Sequence, residues 1–368
     1  MTHDITSIQP YKTRIEWVDR WRGLLTLLVV LGHVFGMASH MGGVSSNDFF
    51  SLLRNSIYLF HMPAFFALSG LVYRGRCESF KTYLTKKTKR LLIPYFFFSV
   101  LSTGIYIVIS GGFSSAVSIS TDTYYSETHR AILPLWKQLI AILFASGWPS
   151  GVGFKMNSVL WFLPCLFVVD MYAYLSDRLF KKRYWKILNI SAMVAIACVC
   201  IRYDNWMLPW GLMRVPEAFC YFIIGRYCIG RIEFRYSSAS LLLVIGVIFC
   251  AAQAPDSWAR KVSLLWYVAF TSFAILGIYA SAWFSQFVKV RFLMTIGGAS
   301  ITIMMVHKYL IMGLLLKIPG AIAISQKGVV AFFAYTLLVS VVAVLGGLCA
   351  NFVFRKYMPL CIGERRIK

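Results

Sequence analysis

About ten apolar runs, each close to the roughly 20 residues that a membrane-spanning helix needs, occupy most of this chain. Only helices and closed barrels satisfy their backbone hydrogen bonds in lipid, and these runs are far too long for barrel strands. The predicted spans are 21–39, 56–73, 91–111, 159–177, 187–202, 209–228, 238–254, 263–284, 292–314 and 328–353. The pattern therefore predicts an all-α, polytopic membrane helix bundle, in which residues 1–368 form one membrane domain without a separate soluble domain.

Positive charge is distributed as in a membrane protein rather than a nucleic-acid-binding protein. Only 14% of the residues are charged, against about 25% in soluble domains, although the formal net charge is +23. Lys and Arg cluster in short loops between apolar runs, most densely at 74–90 and 178–186, and such clusters stay in the cytosol. We therefore expect a multi-pass protein of the plasma (inner) membrane, in contact with lipid, with both termini cytosolic and no nucleic-acid partner.

Two features near the chain's polar segments need a specific interpretation. The polar N-terminal residues predict that the first span, rather than a cleavable signal peptide, directs membrane insertion. Residues 131–148 are apolar enough to resemble a span, but they contain Pro134, Lys137 and Gln138. Counting them as a span would move the basic cluster 178–186 outside, so we predict an interfacial or re-entrant helix within a long outer loop.

Several classes of chemistry lack their usual motifs in this sequence. There is no P-loop, no Gly-x-Gly-x-x-Gly, no Gly-x-Ser-x-Gly and no His-Glu-x-x-His. The nine cysteines lie mostly in or beside apolar runs, and none forms Cys-x-x-Cys, which is typical of buried, reduced thiols. Nucleotide hydrolysis, dehydrogenation, zinc proteolysis and a metal site are therefore not expected.

Arg22 and His33 are the most informative polar pair, because both lie in or beside the first span. Eleven residues at about 100° each return a helix to within about 20° of its starting face, so both side chains share one face. They are separated by a rise of roughly 16 Å, which suits a cation near the cytosolic surface and an imidazole near mid-bilayer. Charged and titratable groups at such positions are usually functional. Asp19, three residues before Arg22, could hold it by an ion pair.

Other polar residues in the spans leave two interpretations open. His61 and His307 are expected in the outer half of the membrane, either hydrogen-bonded to a neighbouring helix or serving chemistry, for which imidazole is suited. Glu217 either pairs with Arg214 or orients a histidine or a substrate hydroxyl. Ser69 precedes Gly70, and close helix packing is favoured there over a ligand contact. The basic run from Arg74 to Arg90 is either a topology signal or a site for a phosphate-rich cofactor.

Five sequence elements, in order and correctly spaced, resemble the acyltransferase-3 family of integral-membrane acyltransferases, in the branch with fucose 4-O-acetylase-like proteins. They are RIEWVDRWRG at 14–23 continuing to His33, FHMPAFFALSG at 60–70, KRLLIPY at 89–95, LWFLP at 160–164 and GGASITIMMVH at 297–307. The resemblance covers about 14–355. It implies transfer of an acyl group, usually acetyl from acetyl-CoA, to a sugar hydroxyl of a cell-envelope or exported polysaccharide or glycolipid, and it implies that Arg22 and His33 are the functional pair.

On this resemblance we expect His33, with Arg22 and Asp19, to be catalytic, either as a base or through an acetyl-histidine intermediate. The expected ligands of the coenzyme A phosphates are Arg22, Arg74, Arg76 and Arg90. Candidates for binding the carbohydrate acceptor are His61, Ser69, Glu217 and His307. Two alternatives stay open: a transporter or flippase for a polysaccharide precursor, against which few acids and no visible broken-helix pairs argue, and a non-catalytic partner in an envelope complex.

Overall fold

A computed structural model of the protein describes residues 15–39, 44–109, 141–145, 157–202, 208–229, 263–308 and 320–364. Every regular element within these ranges is helical, as the apolar runs predict. The helices are α1 (Glu16–Ala38), α2 (Val44–Leu71), α3 (Phe80–Lys87), α4 (Ile93–Ile109), α5 (Phe162–Leu179), α6 (Arg183–Arg202), α7 (Val215–Tyr227), α8 (Ser263–Phe287), α9 (Arg291–Gly298), α10 (Ser300–Val306), α11 (Gly320–Ser325) and α12 (Val329–Tyr357). Shorter 3-10 or π turns are Gly75–Cys77, Thr88–Leu92, Ser158–Trp161, Pro209–Arg214 and Pro359–Ile362.

Four of the described helical segments are long and apolar enough to cross a membrane: Glu16–Ala38, Val159–Leu179, Arg183–Cys200 and Val329–Tyr357. The last two expose much of their apolar surface, as helices that face lipid do. The protein is therefore a helical membrane protein. The number ten and the cytosolic position of both termini stay predictions, and the predicted span 238–254 lies outside the described residues.

The structure corrects the predicted span 292–314. It is not one helix: α9 ends at Gly298 and α10 begins at Ser300, with Ala299 at φ −100° and ψ 6° between them. Two consecutive glycines before Ala299 weaken the helix here, because glycine gains little from helix formation. The sequence analysis placed one continuous span here and did not predict this interruption.

Two other spans differ from their predicted bounds. Helix α2 begins at Val44, well before the predicted start at 56, because polar residues interrupt the apolar pattern in its first three turns, VSSNDFFSLLRN. The span 209–228 contains only the 13-residue α7, preceded by a 3-10 turn in which Trp210 and Gly211 have φ of 58° and 67°. At 1.5 Å per residue α7 is about 20 Å long, too short to cross the hydrocarbon core alone.

Glycines bring the central helices into backbone contact. A methyl group on Gly23 of α1 would overlap the carbonyl oxygen of Leu293 in α9, and one on Gly297 would overlap that of Asp19. The same relation joins α2 to α7, where Gly70 and Gly225 each meet a backbone carbonyl of the other helix. Small residues allow this close approach between membrane helices, which is the packing role expected for the Ser69–Gly70 pair. Helix α1 also contacts α2, α8, α10 and α12, so it is the centre of the bundle.

The predicted interfacial helix near 131–148 lies outside the described residues except for 141–145. Residues 141–144 form one helical turn, which ends at Ala145 with φ 45°. Tyr95 of α4 donates a hydrogen bond to the carbonyl of Ile142, and the Trp210 indole donates to that of Leu143 (2.7 Å). The end of this segment is therefore fastened to the protein rather than lying free on its surface.

Candidate active site

Three imidazoles from distant parts of the chain meet beside the end of α1 that is remote from Arg22. The ring centroids of His33 and His307 are 5.3 Å apart, although 274 residues separate them. The ring of Tyr58, on α2, lies between His33 and His61, with its centroid 5.7 Å from that of His33 and 5.1 Å from that of His61. We call His33, Tyr58, His61 and His307 the imidazole cluster.

Hydrogen bonds define the protonation of two members of this cluster. His61 Nδ1 lies 2.8 Å from the carbonyl oxygen of Ile57, and His307 Nδ1 lies 2.8 Å from that of Ile303. A carbonyl oxygen can only accept, so each Nδ1 carries the hydrogen, and in a neutral ring each Nε2 carries a lone pair. Both side chains are buried. Among the described residues, His307 Nε2 has no hydrogen-bond partner, which makes it a buried acceptor beside His33.

His33 itself is held through Nδ1, which lies 3.0 Å from the Tyr58 hydroxyl oxygen. Its ring lies beside those of His307 and Tyr58, and the residue is only partly buried. Gly32 makes this arrangement possible, because a methyl group there would lie 2.8 Å from Tyr58 Cε1. The bare backbone of α1 thus lets the phenol approach the neighbouring imidazole.

A cavity of about 150 Å³ lies at the other end of the same face of α1. Arg22 and Arg90 line it, together with the interruption between α9 and α10 and the C-terminal turn at 362–364. Arg22 forms an ion pair with Asp19, with Nη1 and Oδ1 3.1 Å apart, as the sequence predicts. A guanidinium presents its N–H donors in a planar fork whose geometry matches carboxylate and phosphate groups. Arg90 belongs to a π turn that joins α3 to α4, and such turns are frequent at functional sites.

The other two arginines predicted to bind the coenzyme A phosphates are Arg74 and Arg76. Arg74 is exposed just beyond α2 and does not line the cavity that Arg22 and Arg90 share. The side chain of Arg76 lies outside the described residues. The structure thus brings together two of the four predicted cations, and Arg74 is not with them because the chain turns away before α3.

The other two acceptor candidates lie apart from the imidazole cluster. Ser69 is half-buried eight residues beyond His61, which is roughly 12 Å along α2. Glu217 lies in the first turn of α7, with Oε2 3.8 Å from Arg214 Nη1, and it accepts a hydrogen bond from Tyr221 (3.4 Å). The Arg214–Glu217 pair is the interpretation that the sequence favoured for this carboxylate. The contacts with Tyr221 and Arg214 join Glu217 to its own helix and to the turn before it.

Tyr58 and the interruption at Ala299 were missed by the sequence analysis. A tyrosine in an apolar run resembles an ordinary interfacial aromatic, and the only available signal was its position three residues before His61. Within the described ranges, no group of three or more His, Cys, Asp or Glu side chains converges closely enough to hold a metal ion. The groups that the cluster itself presents are three imidazoles and one phenol.

Comparison with known proteins identifies the family to which the chain belongs. The sequence model of the acyltransferase-3 family, described as an acyltransferase domain, matches residues 15–348. The chain is also similar to two proteins named nodulation protein NolL. It is 35% identical to that of Sinorhizobium fredii over 85 residues, 23% of each chain, and 33% identical to that of Mesorhizobium japonicum over 85 residues, 23% of this chain and 22% of the relative. These matches thus cover less than a quarter of either relative. No solved structure shows significant similarity to the chain.

Proposed function

The chain belongs to the acyltransferase-3 family, and from that premise we propose that it is a multi-pass inner-membrane O-acyltransferase. The proposed reaction moves an acyl group, most simply acetyl, from acyl-coenzyme A to a hydroxyl group of a sugar. The proposed acceptor is a cell-envelope or exported polysaccharide or a glycolipid. The observation that supports this most directly is that α1 presents Arg22 to a cavity and His33 to a second imidazole, both against the same interrupted helix.

The donor end of the proposed site is the cavity. Arg22 and Arg90 are guanidinium groups, which bind phosphate through paired N–H donors. The rest of the wall is formed by the backbone around Gly298 and by Ile301, Thr302, Asn351, Ile362 and Glu364. An anionic, phosphate-bearing donor is the ligand class that such a wall favours, with its flexible arm extending along α1 toward His33, roughly 16 Å away.

The acceptor end is the imidazole cluster. Because Nδ1 of His33 is engaged by Tyr58, Nε2 is the nitrogen left for the reaction. In the direct route, Nε2 takes the proton of the sugar hydroxyl while the oxygen attacks the thioester carbonyl. The carbon–sulfur bond breaks, and the departing thiolate takes the proton from the imidazolium to give free coenzyme A. His307 Nε2, a buried acceptor, can orient the hydroxyl or the base.

A second route passes through an acetyl group on His33 Nε2, formed with release of coenzyme A and then transferred to the sugar. Both routes need the same lone pair. The two routes can be distinguished by mixing the protein with labelled acetyl-CoA in the absence of acceptor and quenching the mixture rapidly. Only the acetyl-histidine route leaves label on a histidine.

A transporter or flippase is the alternative that one observation favours. Interrupted helices that line a cavity are common in transporters, and α9 and α10 form such an interruption. This function would move a polysaccharide precursor across the membrane without consuming acetyl-CoA. Acetyl-CoA consumption by the protein in sealed vesicles therefore separates the two.

The decisive experiment compares His33→Ala with the unaltered protein in membrane vesicles supplied with [1-14C]acetyl-CoA, scoring label in alkali-labile ester. General acid–base catalysis contributes about 10²–10⁴-fold, so we expect a loss of at least about 100-fold without loss of folded protein. Near-normal transfer by this variant would refute the proposal. For the donor end, Arg90→Gln should raise the KM for acetyl-CoA roughly 5- to 10-fold. Lys182→Gln, an exposed charge outside the cavity, is the matched control and should leave it unchanged.

A further inference from the structure

Tyr58 is the cluster member to which the sequence analysis assigns no role. Its hydroxyl oxygen lies 3.0 Å from His33 Nδ1. We propose that Tyr58 is a positioning residue that holds His33 in the tautomer with the hydrogen on Nδ1, so that the Nε2 lone pair faces the acceptor hydroxyl. This inference rests on the proposed function, because the consequence of the tautomer is felt only if His33 acts as base or nucleophile.

The direction of the hydrogen bond decides what His33 can do. A neutral imidazole has one N–H donor and one acceptor nitrogen. If Tyr58 donated to Nδ1, the hydrogen of His33 would lie on Nε2, and that nitrogen could neither take a proton nor attack a carbonyl. If Nδ1–H donates to the Tyr58 oxygen, Nε2 is free to do both. The phenol oxygen then also accepts from the imidazolium that forms during transfer, which is the role that a carboxylate fills in a Ser-His-Asp triad.

The packing around Tyr58 fits a position fixed for this contact. A methyl group at Gly32 would lie 2.8 Å from Tyr58 Cε1 and 3.2 Å from Ile57 Cγ2, so the ring lies directly against the α1 backbone. One turn further on, the Tyr58 hydroxyl lies 3.7 Å from the corresponding point on Gly36. The residue before His33 and the one a turn beyond it both lack side chains, and the phenol fills the resulting groove. A side chain at Gly32 would push the phenol away from the imidazole.

The other two imidazoles of the cluster carry their hydrogen on Nδ1. His61 and His307 both donate from Nδ1 to a carbonyl oxygen four residues earlier in their own helices. His33 has no such bond among the described contacts and instead meets Tyr58. The phenol therefore supplies from α2 the acceptor that the backbone supplies to the other two rings, and all three rings then carry their lone pairs on Nε2.

The test measures the tautomer and the reaction separately. The purified protein, carrying histidine labelled with 15N in the ring, is reconstituted in lipid bilayers, and the His33 signals are assigned by their loss in His33→Gln. We expect a protonated Nδ1 and an unprotonated Nε2 in the unaltered protein, and transfer of the hydrogen to Nε2 in Tyr58→Phe. We also expect the turnover of [1-14C]acetyl-CoA at saturation to fall about tenfold in Tyr58→Phe, with its KM unchanged, because one oriented hydrogen bond is lost.

Two further variants make the result specific. Tyr172→Phe removes a hydroxyl that bonds Asn189 between α5 and α6, and it should change neither the His33 tautomer nor turnover. Gly32→Ala keeps the phenol but displaces it, so it should reproduce both effects of Tyr58→Phe. The inference is overturned if unaltered His33 carries its hydrogen on Nε2, or if Tyr58→Phe changes only one of the two readouts. Full turnover in His33→Ala would instead overturn the proposed function and leave the tautomer result standing.

Discussion

Replacing Asp170 with Ala should destabilise the protein by about 3–5 kcal/mol, the usual cost of removing one partner of a buried ion pair. Its carboxylate, on α5, is fully buried. It accepts from Lys87 Nζ at 2.7 Å and from the Tyr83 hydroxyl at 3.1 Å. Burial and then the Asp170 charge raise the pKa of Tyr83, so the phenol stays protonated and keeps donating. Hydrogen bonds to charged groups contribute about 1.5–3 kcal/mol each.

The two lost contacts do not cost the same. The Tyr83 hydroxyl is left without its acceptor in a residue that is only 3% exposed. The Lys87 side chain is 23% exposed, so its ammonium recovers part of its hydration. Asp170→Asn should therefore cost less than Asp170→Ala, since an amide oxygen still accepts from Tyr83. Lys87→Met should cost at least as much as Asp170→Asn, because it leaves a carboxylate buried without its cation.

The assay is the fraction of detergent-solubilised protein that stays monodisperse after heating, measured for each variant and for the double variant Asp170→Asn/Lys87→Met. Replacing both members of a buried ion pair is often nearly neutral, so the double variant should be more stable than Lys87→Met alone. Losses that simply add in the double variant would refute the coupling between these two side chains. Because Lys87 directly precedes the π turn that carries Arg90, the destabilised variants should also bind the proposed donor, acetyl-CoA, less tightly.

Two further predictions concern the walls of the cavity. Gly297→Ala should abolish the folded protein, because the added methyl group would overlap the carbonyl oxygen of Asp19. Gly298→Ala is the control and should fold, because a methyl group there has no neighbour within 4 Å. Equal yields of monodisperse protein from the two variants would contradict this packing. Glu364 also lines the cavity and pairs with Arg355 at 2.6 and 2.7 Å. Glu364→Gln removes a negative charge beside the proposed anion site, so the KM for acetyl-CoA should fall roughly threefold at low salt. The difference should disappear at about 0.5 M salt, because salt screens the charge. An unchanged KM at low salt would count against anion binding in this cavity.

Local relations along one helix could be predicted from the sequence. The Asp19–Arg22 and Arg214–Glu217 pairs are three residues apart and form as their spacing indicates. Such relations depend only on helix geometry, which the apolar runs already determine. The helical class of the protein follows from the same runs, because lipid leaves the backbone little alternative.

Contacts between helices could not be predicted in this way. His307 meets His33 only because α1 and α9 approach through Gly23 and Gly297, and nothing in the hydropathy of either run specifies that partner. The contact of Tyr58 with His33 could not be predicted either, because it depends on the packing of α2 against Gly32. The divergence of Arg74 from Arg90 depends on the turn between α2 and α3, since a cluster of charges in the sequence does not define a cluster in space.

The interruption at Ala299 explains how one face of α1 can meet both the cavity and the imidazole cluster. Before it, α9 touches the α1 backbone at Gly23, which leaves no space for a ligand. After it, α10 leads to His307, which returns to α1 beside His33. At the interruption itself, the residues around Gly298 withdraw enough to form a cavity at Arg22. A continuous helix that packed this tightly against α1 at Gly23 would keep one direction along its whole length. The change of direction at Ala299 allows close packing, a cavity and a pair of imidazoles to follow one another within a few turns.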